Sequence, residues 1–478
     1  MIIYGPPRNS PSPLPGHTME EQRSFDFFRA RTAAQFAGPF SSELWSKLLP
    51  RLSLQEDAIR HAIVAIGALH ETADSAADAN AEYAMRQYGK AISDVLVLDI
   101  SKSDTAADTA LISCVLFTAF ESMQGHYRSA MTHVTAGLKI LREQEVSNRK
   151  EAYMPRELAK SAFMQLDTQS REIGDVSLRP ILKLSWRTNP PATTLQTLDQ
   201  AKGWLEDYMR NLTEFLTTLG PSLRANPDDL TVVLQEHAEK KDLFYSWCLA
   251  CRHIDATYVR LLDGTPTPAA QGYLILRLWR IVINMLLNVE LQFGETGWDA
   301  FEADFRKLVS IAEKFVKNSA QLEGTLGPRI EDKLPTCKPT ISFSIGIVTP
   351  LFLTATRCRD PVIRRSACEV LRACNRSESM WNSTLAARVS ERVIELEEQG
   401  LGKVSSTSQV PLEARILGMD LAFGPDRQGK VKYYQYSPLA GVSVDNCKSF
   451  EEELSWARLP TSCHHPSAGT MPQGSTPV

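Results

Sequence analysis

The sequence predicts an all-α protein built as an array of antiparallel amphipathic helices, a helical-repeat-like arrangement. Three observations lead there. Apolar residues recur at three- and four-residue spacing in one segment after another, the mark of a helix with a single buried stripe. The breaks between these segments are short and polar, or carry Gly and Pro. Alternating apolar and polar runs, which would signal half-buried strands, are nearly missing from the 478 residues. A stripe of that width needs a neighbouring helix to cover it, and short links make that neighbour antiparallel.

The elements follow in order. The first 20 residues hold five prolines and little that could pack, so residues 1–22 read as a disordered leader or linker remnant. Order begins near Phe25. From Asp57 the positions Ile59, Ala62, Ile63, Ile66 and Leu69 define a helix face, and the small residues Ala62, Ala65, Gly67 and Ala68 permit close helix contact. ETADSAADAN, residues 71–80, reads as a polar break. A second helix places Ala84, Tyr88, Ala91, Ile92 and Val95 on one side and ends before the turn at 99–103. A third starts near Asp104, the expected N-cap, runs through Leu111, Cys114, Val115 and Thr118 to Gln124, and closes on Gly125. A fourth buries Ala130, Val134, Gly137, Leu138 and Leu141.

Residues 144–200 carry a weaker pattern, with a helix predicted at 156–167 and an exposed connection where Pro190-Pro191 blocks helix formation. Helical periodicity resumes at 198–218, 228–262, 268–292 and 298–320, with LDGTPTP and FGETG as links. The apolar stretch Ile341 to Phe352, bracketed by Pro339 and Pro350, reads as a buried short helix or the turn into one. Helices are predicted at 360–374 and 380–399. The helical domain thus spans 23–400. Residues 401–459 form a partly ordered extension with a β-like run, VKYYQY, at 431–436, and residues 460–478 a disordered tail rich in Pro, Ser and Gly.

Composition narrows the function classes. With 43% hydrophobic and 23% charged residues the chain is ordinary globular protein. Its 52 Lys and Arg against 56 Asp and Glu leave a net charge of −4. A globally basic nucleic-acid binder would carry a surplus of cations to neutralise phosphates. Nine cysteines, an odd number with no regular spacing, fit a reducing intracellular compartment. MIIYGPPRNS has only three apolar residues before prolines interrupt, so no signal peptide is read there. The longest apolar run, YLILRLWRIVINMLLNV, is broken by Arg277 and Arg280, and no membrane span is expected. The sequons at Asn211, Asn375 and Asn382 are then expected to be unmodified.

Candidates for chemistry are sparse. G-x-S-x-G, a phosphate loop and H-E-x-x-H are all missing from the chain, so neither catalytic, cofactor-binding nor metal residues are assigned and no enzyme is expected. Cys248 and Cys251, near His253, could act as a redox or zinc pair. Their mid-helix position, with no second pair to complete four ligands, favours buried apolar cysteines. His126 and His133 lie seven residues apart near Glu121 and read as helix histidines. Cys463, His464 and His465 sit in the flexible tail. The sharpest feature is a basic cluster, Arg357, Arg359, Arg364, Arg365, Arg372 and Arg376, offset only by Asp360 and Glu369. Such forks suit anion recognition, but the acidic stretch Glu391, Glu395, Glu397 and Glu398 falls in the next predicted helix, which favours internal pairing.

Two segments resemble a known family. In residues 341–398 the matching pieces are Gly346 with Pro350-Leu351-Phe352, Arg357-Cys358-Arg359-Asp360-Pro361, Arg364-Arg365, Arg376 through Trp381, and Glu397-Glu398. Upstream, DFFRARTAAQFAGPFSSELWSKLLPRLSLQEDAIRHAIVAIGALHE opens in the same style, so the likeness covers roughly 24–400. Together they resemble the fungal-specific transcription factor domain, the helical regulatory module that follows a zinc binuclear cluster. That cluster needs C-x2-C-x6-C twice, because two zinc ions share closely spaced thiolates. This sequence has its first cysteine at Cys114, so no cofactor is expected in this chain, and zinc only with a missing N-terminal cluster.

The resemblance implies a nuclear regulator of RNA polymerase II transcription, often of metabolic or secondary-metabolite genes. It implies protein partners in the transcription machinery or a full-length relative, a homo- or hetero-dimer, and a small-molecule effector, while the departure at the cysteines argues against direct DNA reading by this chain alone. Pro350, Arg357, Arg359, Arg364, Arg365, Arg376, Trp381 and Glu397 are the signature residues, structural or interacting. The runner-up is a helical interaction scaffold that binds no DNA, and after it an unrecognised enzyme.

Overall fold

Thr18 accepts a hydrogen bond from the Glu21 amide at 3.2 Å while the Glu21 carboxylate accepts from the Thr18 amide at 3.3 Å, a reciprocal cap that starts the first helix. The structure, a computed structural model, describes residues 18–75, 79–147, 150–173, 188–225, 230–324, 334–425, 427–435 and 448–456. Helices α1 (Met19–Phe27), α2 (Ala33–Ala37) and α3 (Leu49–Leu52) lead into α4 (Asp57–Ser75) and α5 (Ala79–Leu96). α4 and α5 are antiparallel: His61 near the start of one meets Asp94 near the end of the other at 2.7 Å, and Glu71 meets Asn80. Residues 71–75 belong to α4 and residues 79–80 to α5, so most of the expected polar break is helical; Ala73 and Ala79 extend the helices rather than end them.

α6 (Asp104–Gln124) and α7 (Tyr127–Val146) form the next antiparallel hairpin. Its closing turn has Gly125 at φ 76°, the left-handed cap that the sequence pattern called for. The N-cap of α6 is Ser103, whose hydroxyl accepts from the Ala106 amide at 3.2 Å, one residue before the expected Asp104. Gly67 makes a close crossing possible, since a Cβ there would lie 2.1 Å from the Ser24 carbonyl oxygen. α8 (Arg156–Ile173) completes a first core built on Phe28, Phe36, Leu49, Ile63, Ile112, Phe120 and Phe163.

A second core is formed by α9 (Leu198–Ala225), α10 (Leu230–Ala250), α11 (Arg252–Tyr258), α12 (Pro268–Asn288) and α13 (Glu302–Leu322), with the elements that follow them. α6 and α12 are long and apolar enough by composition to cross a membrane, which the sequence reading did not anticipate. Both are mostly buried within the protein, which makes them core helices hydrophobic on most sides.

The apolar stretch after Pro339 begins as a strand rather than a helix. β1 (Thr340–Ser342) pairs in parallel with β2 (Arg376–Glu378), and β2 pairs antiparallel with β3 (Trp381–Asn382). The Phe343 amide donates to the Phe36 carbonyl at 2.8 Å, and its ring meets Phe36 at 4.8 Å, so this segment joins the first core to the second. The helix starts later, as α14 (Val348–Arg357), followed by α15 (Pro361–Cys374) and α16 (Ser383–Glu398). A three-stranded antiparallel sheet of β4 (Ile416–Phe423), β5 (Gln428–Gln435) and β6 (Lys448–Ser455) packs on α16, and β5 contains the VKYYQ run. The fold is all-α in class, and these short strands are its only sheets among the described residues.

Candidate functional site

Local chemistry positions α15 and α16. Asp360 accepts from the amides of Val362 and Ile363 at 3.0 and 2.9 Å, and Pro361 occupies the first helical position, where a missing N–H costs nothing. Asn375 closes α15 in the left-handed conformation at φ 42°. Asn382 caps α16 through the Leu385 amide at 2.9 Å. Two of the three sequon asparagines are thus helix punctuation.

The two helices run antiparallel and bring the basic cluster against the acidic stretch. Glu397 sits at the centre with a fully buried side chain. One oxygen accepts from Arg359 Nη2 at 2.7 Å and the Ile416 amide at 2.8 Å; the other accepts from Arg364 Nη2 at 2.7 Å. Arg359 also reaches Glu295 at 3.0 Å, and Arg357 pairs with the same carboxylate. Nearer the surface, Arg365 pairs with Glu398 and Arg372 with Glu391. Glu395 turns to Arg392 on its own helix, and Arg392 also grips Glu452 on β6. The internal pairing that the charge pattern favoured is present at three of the four glutamates.

Burial would raise the Glu397 carboxyl, but Arg359 and Arg364 outweigh it and hold the group below the usual carboxylate range. Burial would likewise lower Arg359, and Glu397 with Glu295 reverses the sign, holding it raised. The buried forks of Arg359 and Arg364 are engaged by Glu295 and Glu397 and are not available to an external phosphate.

A second carboxylate organises the turn before α14. Glu378 accepts from the amides of Ile347 and Val348, both at 2.9 Å, and from Arg376 Nε at 3.1 Å, placing negative charge at a helix N-terminus. Gly346 is required there, because a Cβ would lie 1.9 Å from a Glu378 oxygen. Its carbonyl accepts from Trp279 Nε1 at 2.9 Å. Pro350 is buried in the first turn of α14, and Trp381 packs on Phe352 at 4.9 Å.

The other chemical candidates are structural in their surroundings. Cys251 is buried and Cys248 half-buried, and burial pushes their thiols up to about 12 and about 11, which disfavours the reactive thiolate. Glu121 is engaged by Tyr88, whose hydroxyl donates at 2.8 Å, and by His126 at 2.9 Å; His133 lies 3.3 Å from the Tyr88 oxygen and burial holds its pKa down against the pull of Glu121. Among the described residues no group of three or more His, Cys, Asp or Glu is arranged to hold a metal ion. Cys463, His464 and His465 lie outside the described residues.

Several members of the charged core escaped the sequence pattern. Glu295 and Asp299 come from the 3₁₀ stretch Leu291–Phe301, and Arg415 makes two bonds of 2.8 Å to Asp299. Their partners are 62 to 120 residues away, and no local periodicity reports such pairs.

Comparison with known proteins finds a partial family match. A model of the fungal specific transcription factor domain matches residues 23–178, the part that contains the upstream likeness and α4 to α8; the signature of residues 341–398 lies beyond that match. The chain is similar to the aspercryptin biosynthesis cluster-specific transcription regulator atnN of Emericella nidulans, 25% identical across 89% of this chain and 82% of the relative. It is also similar to the transcription regulator lscL of Purpureocillium lilacinum, 26% identical over 19% of this chain and 24% of that protein. No solved structure matches.

Proposed function

We propose that the chain, whose residues 23–178 match a model of the fungal-specific transcription factor domain, controls RNA polymerase II transcription of a secondary-metabolite gene cluster in the fungal nucleus. The observation that carries the reading is the similarity to a cluster-specific regulator along 89% of the chain. The helical body works by contact with protein partners, either components of the transcription machinery or a full-length relative with which it dimerises. Zinc enters this reading only with an N-terminal cluster that the 478 residues do not contain, and the formal charge of −4 argues against direct DNA reading by these residues alone. The signature residues Pro350, Arg357, Arg359, Arg364, Arg365, Arg376, Trp381 and Glu397 act structurally, holding α14, α15 and α16 as one rigid unit. No catalytic step is assigned.

The test is transcript profiling after deletion and after overexpression of the gene. Coordinated change in one biosynthetic cluster, with the protein recovered in nuclei, is the expected result. Unchanged expression of every such cluster in both strains would overturn the reading.

A further inference from the structure

Trp381 is 92% buried yet its indole Nε1–H has no hydrogen-bond partner among the described residues. Buried indole donors are ordinarily satisfied, so this one is an unexplained group. It lines a cavity of about 70 Å³ between α14, α16 and the β4–β6 sheet, walled by Phe352, Leu385, Val389, Met419 and Val431. No charged residue lines this space, and its one amide, Asn382, is already committed through both ends to Leu385 and Ser377. Native interiors pack with few voids of this size, because an unfilled apolar cavity forfeits contacts on every wall. An apolar cavity of this kind tends to stay dry and to accept apolar solutes.

We propose that this cavity is a binding site for a compact, uncharged, mainly apolar molecule bearing one acceptor oxygen, a ketone or alcohol, which the Trp381 indole N–H recognises. At roughly 10–15 Å³ per water-sized volume the space suits a molecule of about five to seven heavy atoms. The apolar walls supply the affinity by burial, and the single donor orients the oxygen toward Trp381. A charged ligand is excluded, since nothing in the lining would neutralise it. Trp381 also borders a smaller cavity of about 30 Å³, where Gln169 Oε1 and Glu206 Oε1 lack hydrogen-bond partners. A water there would be the competing partner for the indole. The inference concerns binding by the purified chain, so its failure and the failure of the regulatory reading are separate outcomes.

Cyclohexanone is the probe, titrated into the full-length protein and followed by methyl NMR shifts and calorimetry. Saturable binding is expected for the unaltered protein. Trp381→Phe keeps the ring and removes the donor, and should weaken cyclohexanone about fivefold while leaving methylcyclohexane, the hydrocarbon of equal size, unaffected. Ala386→Leu, or the milder Val389→Ile should the first fail to fold, fills the cavity and should weaken both probes. Three results would each overturn the proposal: no saturable binding to the unaltered protein, equal ketone affinity in Trp381→Phe, which would mean that the donor serves a water in the smaller cavity, or unchanged binding in a folded cavity-filled variant.

Discussion

Arg359 and Glu397 stand 38 residues apart in the chain and meet at 2.7 Å with neither side chain exposed. The pair joins the loop before α15 to the last turn of α16, and through the Ile416 amide it also fixes the first residue of β4. A charge so placed is costly to leave alone, which makes the contact a strong constraint on geometry even where its net stabilisation is small.

Glu397→Gln should therefore destabilise the protein by about 3–5 kcal/mol, because Arg359 and Arg364 would stay buried without their anion. Glu395→Gln, on the exposed face of the same helical turn, should cost no more than about 0.5 kcal/mol. Urea unfolding of the two variants measures the contrast; equal losses would count against a special role for the buried site.

The same carboxylate sets an acid limit. Its folded pKa is depressed, so its contribution is fully present above the ordinary value of 4.5 and is lost as pH falls through the folded value. Stability should be level near neutrality and drop steeply from about pH 4.5 downward. Glu397→Gln, already destabilised, should show a shallower acid slope in a series of thermal melts.

Gly346→Ala should cost about 1–3 kcal/mol, the range for overpacking. The new methyl would collide with a Glu378 carboxylate that two backbone amides hold in place. Gly203→Ala, in α9 with nothing within 4 Å of the added Cβ, should instead stabilise by about 0.5–1 kcal/mol. Calorimetric melting of the pair gives opposite signs if both contacts are as described.

The C-terminal sheet is latched to the first half of the protein by Trp456. Its indole N–H donates to the Gly125 carbonyl at 2.9 Å, and its ring stacks on Tyr127 at 5.5 Å. Trp456→Ala should speed amide hydrogen exchange in β6 and at the α6–α7 turn while leaving α4 and α5 protected. Uniform acceleration throughout would mean that the latch serves global stability.

Helix positions were legible because their signal is local. The stripe from Ile59 to Leu69, the stop at Gly125 and the Asp360-Pro361 start each depend on residues within a turn or two of one another. The pairing of the Arg cluster with Glu391, Glu397 and Glu398 was also readable, since both charge blocks flank one hairpin. Glu378 as a helix-terminal anion was not, because strands of two or three residues such as β1, β2 and β3 are too short to show alternation. The stretch from Ile341, expected as a short helix or the turn into one, opens as a strand before α14 for a tertiary reason: Phe343 is drawn into the first core beside Phe36 and Trp45.

By itself the sequence determined that this is a mainly helical body, where most helices begin and end, and which family its opening resembles. Tertiary structure alone decided that Glu295 and Arg415 complete the buried charge core, that Trp456 latches one half to the other, and that Trp381 lines an apolar cavity. The division has one cause: periodicity and capping are set by neighbours along the chain, whereas burial and ion pairing are set by whatever the fold brings together from a distance.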